Sequence, residues 1–463
     1  MTVPRVQGGR LAALRQMRGD PLGFFTRARR ECGVIARLPV PGRLYLVSDP
    51  DAIHRGLTAT GRDYAKGQGR SRDPDRAGFQ PLQRILGQGL LTSAGPLWRR
   101  QRRLIQPMFH HARIAQYCEV FADLAERTGA GWRDGEVRDV HADMTELTLA
   151  IVARTVFDID LDAAIVAQIQ QWLGANMATA RRGANLPLMR YLDLLPLPST
   201  RRWNADRRAL DAMIHELIAN RRAAAGSGND LLGLLLEARD ADTGEAMPDG
   251  QVRDEAVTLL LAGHETTANA LAWSLHLLGT HPPAQERLRA ELDEVLAGRR
   301  PGAADLPRLP YATAVLREAM RLYPPAWVVA RRLLTAQEVC GHRLRAGSVL
   351  VFSSWVMHRD ARWWPEPERF RPERWLEGPS GRPRYAYFPF GGGPRQCIGN
   401  AFAEAEGALA LATLCRHWRF TPASDAPVSP QPLVTLRPRS GVPMTVHSVN
   451  ARRATDGGQA SGG

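Results

Sequence analysis

Apolar residues recur at intervals of three and four along several long stretches of this chain, a spacing that predicts α-helices. The clearest stretches are RRALDAMIHELIANRRAAA (207–225), AQERLRAELDEVLAG (284–298) and IGNAFAEAEGALALATL (398–414). The longest lies between Pro248 and Pro282. At a rise of ~1.5 Å per residue it would span about 45 Å, which predicts a helix through the centre of the molecule.

Strand-like runs are fewer and shorter. They are RLYLVS (43–48), SVLVFSSWVM (348–357), VTLRP (434–438) and VPMTVHS (442–448). We therefore expect a mainly α fold with small β-sheets assembled from distant segments. Because no Ser/Gly/Pro linker divides the chain, residues 1–448 are expected to form a single domain, and the composition of 449–463 predicts a disordered tail.

Charge and cysteine usage exclude several function classes. The formal net charge is +14, from 61 Lys and Arg against 47 Asp and Glu, and Lys66 is the only lysine. We interpret this excess as a solvated basic surface or a docking patch for an acidic partner, not as a nucleic-acid site. The five cysteines include no Cys-x-x-Cys, which argues against zinc ribbons, iron–sulfur clusters and disulfide frameworks. Without a signal peptide or a transmembrane anchor, a cytoplasmic protein is expected.

One of these cysteines, Cys397, lies in the glycine-rich stretch FPFGGGPRQCIG. The glycines at 391–393 and 399 would let the backbone approach closely and adopt positive φ. The helix predicted after Cys397 would direct amide groups at the sulfur and favour a thiolate. A single thiolate suits an axial ligand of haem iron, whereas zinc would require three further ligands. A structural cysteine in a turn is the alternative.

The same stretch resembles the haem-binding signature of the cytochrome P450 family, Phe-x-x-Gly-x-Arg-x-Cys-x-Gly. Phe390, Gly393, Arg395, Cys397 and Gly399 match its five fixed positions. The resemblance implies the cytochrome P450 fold, with a long central helix over a haem b and the cysteine loop beneath it. It also implies that Cys397 binds the iron.

Two further segments extend the resemblance along the chain. LREAMRLYPP contains the Glu-x-x-Arg pair of the family at Glu318 and Arg321, and FRPERW supplies Arg374 as the third member of a buried structural cluster. In WRRQR (98–102) the tryptophan and the last arginine lie one helical turn apart. The resemblance implies that the following side chains bind the haem propionates: Trp98, Arg102, Arg331 and Arg395.

The predicted central helix contains the polar segment AGHETT. Ala262 and Thr266 are four residues apart and would share one face, with a gap left by Gly263. By resemblance, this face forms the groove where dioxygen binds next to Ala262, Thr266 hydrogen-bonds the dioxygen during its activation, and Glu265 relays protons. A kinked helix with buried hydroxyl groups is the alternative reading of this segment.

The residues expected around the substrate are largely apolar, which favours a lipophilic substrate. They are Leu260, Leu261, Ala262, Ala326, Trp327 and Val328, together with parts of 66–93 and 174–198. The resemblance implies a haem-thiolate monooxygenase that inserts one atom of O₂ into a terpenoid or a related natural-product intermediate. The expected reaction is a hydroxylation, which could be followed by further oxidation or be replaced by an epoxidation. The alternatives are a fatty-acid hydroxylase, a peroxide-using peroxygenase and, least favoured, a haem-thiolate protein without turnover.

The electrons for such a reaction would come from outside this chain, because it contains no fused flavin-type domain and no iron–sulfur spacing. We expect NAD(P)H to supply them through a reductase and a separate ferredoxin or flavodoxin. Arg99, Arg100 and Arg103, next to Trp98, are candidates for a basic surface that docks this acidic carrier.

Overall fold

The structure is a computed structural model that describes residues 2–40, 42–66, 82–83, 86–160, 198–223, 230–240, 242–378 and 381–449. Its helices are α1 (Arg10–Gly19), α2 (Pro21–Cys32), α3 (Pro50–Thr58), α4 (Gly95–Ile105), α5 (His111–Ala130), α6 (Val140–Val152), α7 (Pro198–Ala223), α8 (Leu231–Glu237), α9 (Asp249–Thr280), α10 (Pro282–Leu296), α11 (Pro310–Leu322), α12 (Ser354–Met357) and α13 (Asn400–His417). Its strands are β1 (Ile35–Arg37), β2 (Leu44–Val47), β3 (Tyr64–Lys66), β4 (Val137–Asp139), β5 (Val329–Leu333), β6 (Gln337–Val339), β7 (His342–Leu344), β8 (Val349–Phe352), β9 (Trp418–Pro422), β10 (Pro430–Pro432), β11 (Leu436–Pro438) and β12 (Pro443–Ser448). The predicted mainly α fold with small sheets is confirmed.

The sheets join segments that are far apart in the sequence. Among the described residues the largest sheet has the strand order β1-β2-β8-β5-β3, in which β2 and β8 are parallel and the other neighbours antiparallel. Its register places Lys66 on β3 opposite Arg331 on β5. The smaller sheets are β4-β12-β9, β10-β11 and β6-β7. The sheets therefore bring residues from both ends of the chain towards the central helices.

Helix α9 runs through the main hydrophobic core, as its length and apolar composition predict. It begins directly after Pro248 and ends before Pro282, which starts α10. It is buried around most of its circumference because α6, α11, α13 and β9 all pack against it. Trp273 is fully buried in this helix and stacks on Tyr323 with the ring centroids 3.8 Å apart. Two smaller cores lie between the five-stranded sheet and the helices α1, α2 and α3.

One predicted strand changes into a helix partway along its length. The apolar run 348–357 forms β8 only as far as Phe352, and its last four residues form α12. The reason is a local cap, because the Ser353 hydroxyl accepts a hydrogen bond from the backbone N–H of Val356 at 3.4 Å and starts a helical turn.

Some of the predictions fall on parts of the chain that lie outside the described residues. These parts are much of the predicted pocket segment 66–93, nearly all of 174–198, and residues 450–463 of the predicted tail. None of the helices in the described ranges is both long enough and apolar enough to cross a membrane.

Candidate active site

The cysteine loop owes its shape to glycines that act in different ways. Gly391 and Gly393 have φ of +69° and +67°, in the left-handed region that glycine enters most easily. A Cβ on Gly393 would lie 2.2 Å from the carbonyl oxygen of Leu57, whereas a Cβ on Gly391 would meet nothing within 4 Å. Gly393 thus lets the loop press against the end of α3. Gly392 and Gly399 have φ of −179° and −91°, so the prediction of positive φ is wrong for these two.

Cys397 lies between this loop and the start of α13. Its backbone N–H donates to the carbonyl oxygen of Phe390 at 2.9 Å, which closes the loop. The residue as a whole is exposed to solvent. Its thiol nevertheless lies close to many protein atoms, and the resulting desolvation raises the pKa of the thiol. The backbone N–H of Gly399 and the charge of Arg102 lower the same pKa. The start of α13 and Arg102 therefore supply positive potential that favours a thiolate.

The AGHETT segment interrupts the burial of α9. Ala262 is exposed, and Thr266, one turn later, is half-buried. The Thr266 hydroxyl donates to the carbonyl oxygen of Ala262 at 2.7 Å, as a threonine in a helix tends to do. A Cβ on Gly263 would lie only 3.0 Å from the Val152 side chain on α6. Val152 therefore occupies the space that a side chain at 263 would need, and the groove beside Ala262 and Thr266 stays a prediction.

The two ionisable residues of the segment have separate partners. His264 is buried, its Nδ1 lies 2.6 Å from the carbonyl oxygen of Leu260, and burial lowers its pKa. Glu265 accepts a hydrogen bond from the hydroxyl of Thr435 at 2.6 Å. Thr435 lies in the turn between β10 and β11, 170 residues away in sequence. Sequence reasoning missed this threonine because the run 434–438 predicted only a short strand, and nothing in it indicated a contact with the central helix.

The predicted propionate-binding residues lie around the cysteine loop. The Arg395 guanidinium stacks on the ring of Trp98 at 4.2 Å from its centroid and donates to the carbonyl oxygen of Ser93 at 3.1 Å. Arg102 donates to the carbonyl oxygen of Gln396 at 2.7 Å. Helix α4 places Trp98 and Arg102 on one side, as their spacing predicts.

Two cations on the neighbouring strands β3 and β5 of the five-stranded sheet complete this group. Arg331 on β5 donates to the hydroxyl of Thr60 at 2.9 Å, and its burial lowers its pKa to about 10. Burial and repulsion by Arg331 lower the pKa of Arg395 to about 9. Burial, followed by repulsion from Arg395 and Arg331, holds the pKa of Lys66 well below its usual value. Sequence reasoning missed Lys66 as a site residue, although its being the only lysine was a visible signal.

These cations have no carboxylate partner in the part of the chain that the structure describes. Neither an ion pair nor a neighbouring carboxylate charge is found at Lys66, Arg102, Arg331 or Arg395. Buried positive charges that repel one another favour a bound anion, since an unpaired buried charge is costly. The group therefore has the chemistry of a binding site for carboxylates.

The Glu318 carboxylate is buried and saturated with hydrogen bonds. It accepts from Arg321 at 2.8 and 2.9 Å, from the Arg374 side chain at 2.9 Å, and from the Trp375 indole and the Arg371 backbone at 3.0 Å each. Glu318 and Arg321 are fully buried and Arg374 is 4% exposed. The structure thus brings the three predicted residues together in one cluster that joins α11 to the segment before the cysteine loop.

The predicted pocket residues do not all face the same space. Leu260 lies about 200° around α9 from Ala262 and is buried in the main core, because two residues correspond to roughly that rotation. Leu261 is also in this core. Trp327 packs against Phe25 in an N-terminal core with the ring centroids 5.9 Å apart. Leu260, Leu261 and Trp327 thus pack within hydrophobic cores of the described chain, and their place at the substrate stays a prediction. Half-buried positions remain at 326 and 328.

The predicted docking surface beside α4 is less basic than its sequence suggests. Asp240 lies 2.8 Å from Arg103 and 3.4 Å from Arg100, and a second carboxylate pairs with each of these arginines. Arg99 is exposed and makes no ion pair with any described residue. Acidic residues after α8 therefore pair with Arg100 and Arg103, and the docking role of the three arginines stays a prediction.

The site therefore combines three features: a cysteine at a helix start, an exposed position on the otherwise buried central helix, and a group of cations without a carboxylate partner among the described residues. The cytochrome P450 family model matches residues 9–444 of the chain. The chain is 39% identical over 421 residues to cyclooctatin synthase of Streptomyces melanosporofaciens, covering 88% of this chain and 90% of the relative. It is 36% identical over 384 residues to the cyclooctat-9-en-7-ol 5-monooxygenase of the same species, covering 82% and 81%.

A solved structure gives the same answer. The crystal structure of the cytochrome P450DA heme domain matches with a TM-score of 0.86 at 27% identity, covering 96% of this chain and 97% of that one. The chain belongs to the cytochrome P450 family. It is therefore an oxidoreductase of the monooxygenase class, and the family implies a haem iron with a thiolate ligand.

Proposed function

We propose that this chain binds haem b between α9 and the cysteine loop, with Cys397 as the thiolate ligand, and oxidises a terpenoid. When bound, the haem iron supplies the reductive activation of dioxygen, from which one oxygen atom goes to the substrate and the other to water. The observation that carries the proposal is the exposed thiol of Cys397 beside a helix start, in a chain whose central helix is exposed at Ala262. Residues 1–448 would form this single catalytic domain.

The unpaired cations would hold the haem propionates. Arg331 and Arg395 can each offer a planar guanidinium to a carboxylate, and Trp98 keeps Arg395 in place by stacking. Arg102 and Lys66 would add further hydrogen-bond donors, and a bound carboxylate would favour the charged form of Lys66. Binding two carboxylates here would relieve the repulsion among these cations, which is why we include Lys66 with the four residues predicted from the sequence.

Glu265 and Thr266 would deliver protons on the exposed face of α9. The Thr266 hydroxyl is accessible and is oriented by the Ala262 carbonyl, which accepts its proton in hydrogen bonding. Glu265 precedes it and carries the carboxyl group that can exchange a proton with water. Removal of either group should waste reducing equivalents as hydrogen peroxide, because dioxygen would be reduced without being cleaved productively.

The substrate class follows from apolar residues and from the relatives. Ala262, Ala326 and Val328 are small or apolar and are not fully buried, which suits a bulky lipophile. Two similar proteins are named for cyclooctatin and cyclooctat-9-en-7-ol, which are terpenoids. We therefore propose a polycyclic terpenoid or its alcohol as substrate.

Electrons would reach the haem from NAD(P)H through a reductase and a separate ferredoxin or flavodoxin. Arg99 is an exposed cation of the α4 surface that makes no ion pair with any described residue, so it would contribute most to docking an acidic carrier. The ion pairs of Arg100 and Arg103 with the segment after α8 would reduce their contribution.

The test begins with the purified haem-loaded enzyme and the variant Cys397→Ser. Reduction under carbon monoxide should give the thiolate-type Soret band in the wild type and not in the variant. Candidate terpenoids are then screened for a blue shift of the ferric Soret band. The best ligand is turned over with a surrogate ferredoxin system under ¹⁸O₂, and one labelled atom per product molecule is expected.

Two outcomes would contradict the proposal. A histidine-type carbon monoxide spectrum in the wild type would exclude Cys397 as ligand. Product that takes its oxygen from water, or that forms without dioxygen, would exclude monooxygenation. If only straight-chain fatty acids shift the Soret band and are hydroxylated, the terpenoid part of the proposal is wrong.

A further inference from the structure

A line of hydrogen bonds connects Glu265 with the start of α6. The Thr435 hydroxyl donates to Glu265 Oε1 at 2.6 Å. Asn269 Nδ2 donates to the Thr435 hydroxyl oxygen at 3.5 Å, and Asn269 Oδ1 lies 3.0 Å from His141 Nε2. Asn269 is fully buried and Thr435 is 8% exposed. Four side chains from α6, α9 and the β10–β11 turn are thus linked in sequence.

The donors in this line all point towards Glu265. The imidazole N–H of His141 donates to the Asn269 carbonyl, the Asn269 amide donates to Thr435, and Thr435 donates to the carboxylate. Burial lowers the pKa of His141 and so favours a neutral ring, and the carbonyl oxygen of Asn269 next to Nε2 favours the tautomer with its proton on that nitrogen. Because aligned hydrogen bonds polarise one another, each donor strengthens the next one. The arrangement orients the Thr435 hydroxyl so that its oxygen accepts from Asn269 and its hydrogen is donated to Glu265.

The line cannot serve as a proton path. An amide passes a proton along only by converting to its imidic acid form, so Asn269 interrupts any transfer between His141 and Thr435. It can, however, fix the orientation of its neighbours, because both ends of its amide group have partners. The function that remains for the line is to position Glu265.

The turn that carries Thr435 is itself anchored independently of α9. The Trp327 indole donates to the Leu433 carbonyl at 3.0 Å, and the Leu436 backbone N–H donates to the Pro325 carbonyl at 2.9 Å. These bonds attach both sides of the turn to the segment after α11. The hydroxyl of Thr435 therefore reaches Glu265 from a fixed backbone.

We propose that Thr435 is a positioning residue that sets the orientation of the Glu265 carboxyl group, and that Asn269 and His141 hold Thr435 for this task. The inference rests on the proposed role of Glu265 in proton delivery. A carboxyl group tied to the β10–β11 turn occupies one orientation, whereas a released one would sample several. Loss of the tie should therefore send more of the reduced dioxygen to hydrogen peroxide.

The test compares Thr435→Val, which keeps the shape and loses the hydroxyl, with Thr435→Ser, which keeps the hydroxyl. The first measurement needs no turnover: infrared difference spectra of the resting haem-loaded enzyme against Glu265→Gln identify the Glu265 carboxylate band. We expect this band to shift in Thr435→Val and to return to its wild-type position in Thr435→Ser. If the valine variant does not take up haem, Thr435→Ala tests the same loss.

The second measurement is hydrogen peroxide released per NADPH consumed, with the lipophile that gives the largest Soret shift. We expect a several-fold increase in Thr435→Val, none in Thr435→Ser, and no further increase when Thr435→Val is added to Glu265→Gln. An unshifted band together with wild-type peroxide release in Thr435→Val would overturn the inference. If Glu265→Gln itself leaves peroxide release unchanged, the proposed proton role fails, and the infrared band still decides the positioning role.

Discussion

Replacing Glu318 by glutamine would remove the charge on which a buried cluster depends. One carboxylate oxygen accepts three hydrogen bonds, from the Arg321 and Arg374 side chains and the Arg371 backbone. The other accepts two, from Arg321 and Trp375. Whichever way the new amide turns, its NH₂ group faces at least two donors that lose their acceptor.

The expected cost is large because two guanidinium groups would lose their counter-charge in a site without solvent. Arg321 is fully buried and Arg374 is 4% exposed, so water cannot replace the carboxylate. Breaking a buried ion pair by removing one partner typically costs about 3–5 kcal/mol of the free energy of unfolding. We expect a loss of this size, together with weaker haem retention, since the cluster holds the segment that leads to the cysteine loop.

The chain offers a matched control in Glu404→Gln. Glu404 on α13 makes two hydrogen bonds with Arg317, at 3.1 and 3.2 Å, but the two side chains are 31% and 38% exposed. A solvated pair of this kind contributes about 1 kcal/mol or less. Urea midpoints of both haem-loaded variants, followed by far-ultraviolet circular dichroism, give the comparison. If Glu318→Gln shifts the midpoint no more than Glu404→Gln does, the buried cluster is not a stabilising element.

Two further predictions concern backbone packing and pH. Gly393→Ala would place a methyl group 2.2 Å from the Leu57 carbonyl oxygen, whereas Gly391→Ala meets only the conformational cost of positive φ, about 1–2 kcal/mol. Gly393→Ala should therefore lower the urea midpoint and the haem content more than Gly391→Ala does. Equal effects of the two variants would refute the close approach of the loop to α3. Burial raises the pKa of Glu255 from 4.5 to about 8. Between these two pH values the native state therefore binds more protons than the unfolded chain. The free energy of unfolding should fall as pH rises through that range. Glu255→Gln, which can still accept from the Leu90 N–H, should flatten this fall in urea titrations at pH 5, 7 and 9; an unchanged slope would show that Glu255 does not cause it.

Much of the fold could be predicted from the sequence because local rules specify it. The span of α9 follows from an apolar run between two prolines, and α13 follows from its helical periodicity. The hydrogen bond from Thr266 to Ala262 likewise depends only on residues four apart in a helix. The end of β8 was less predictable, since Ser353 caps a helix within a run that is apolar enough for a strand.

The candidate site was predictable only where its chemistry lies in one short segment. Cys397 and the positive φ of Gly391 and Gly393 could be predicted because these residues lie together in one short glycine-rich segment. Three other contacts became visible only in the folded chain: Asp240 pairs with Arg103, Lys66 lies opposite Arg331, and Thr435 donates to Glu265. The physical reason is that charge pairing, burial and hydrogen bonding between distant segments depend on how helices and sheets pack, which no local periodicity encodes.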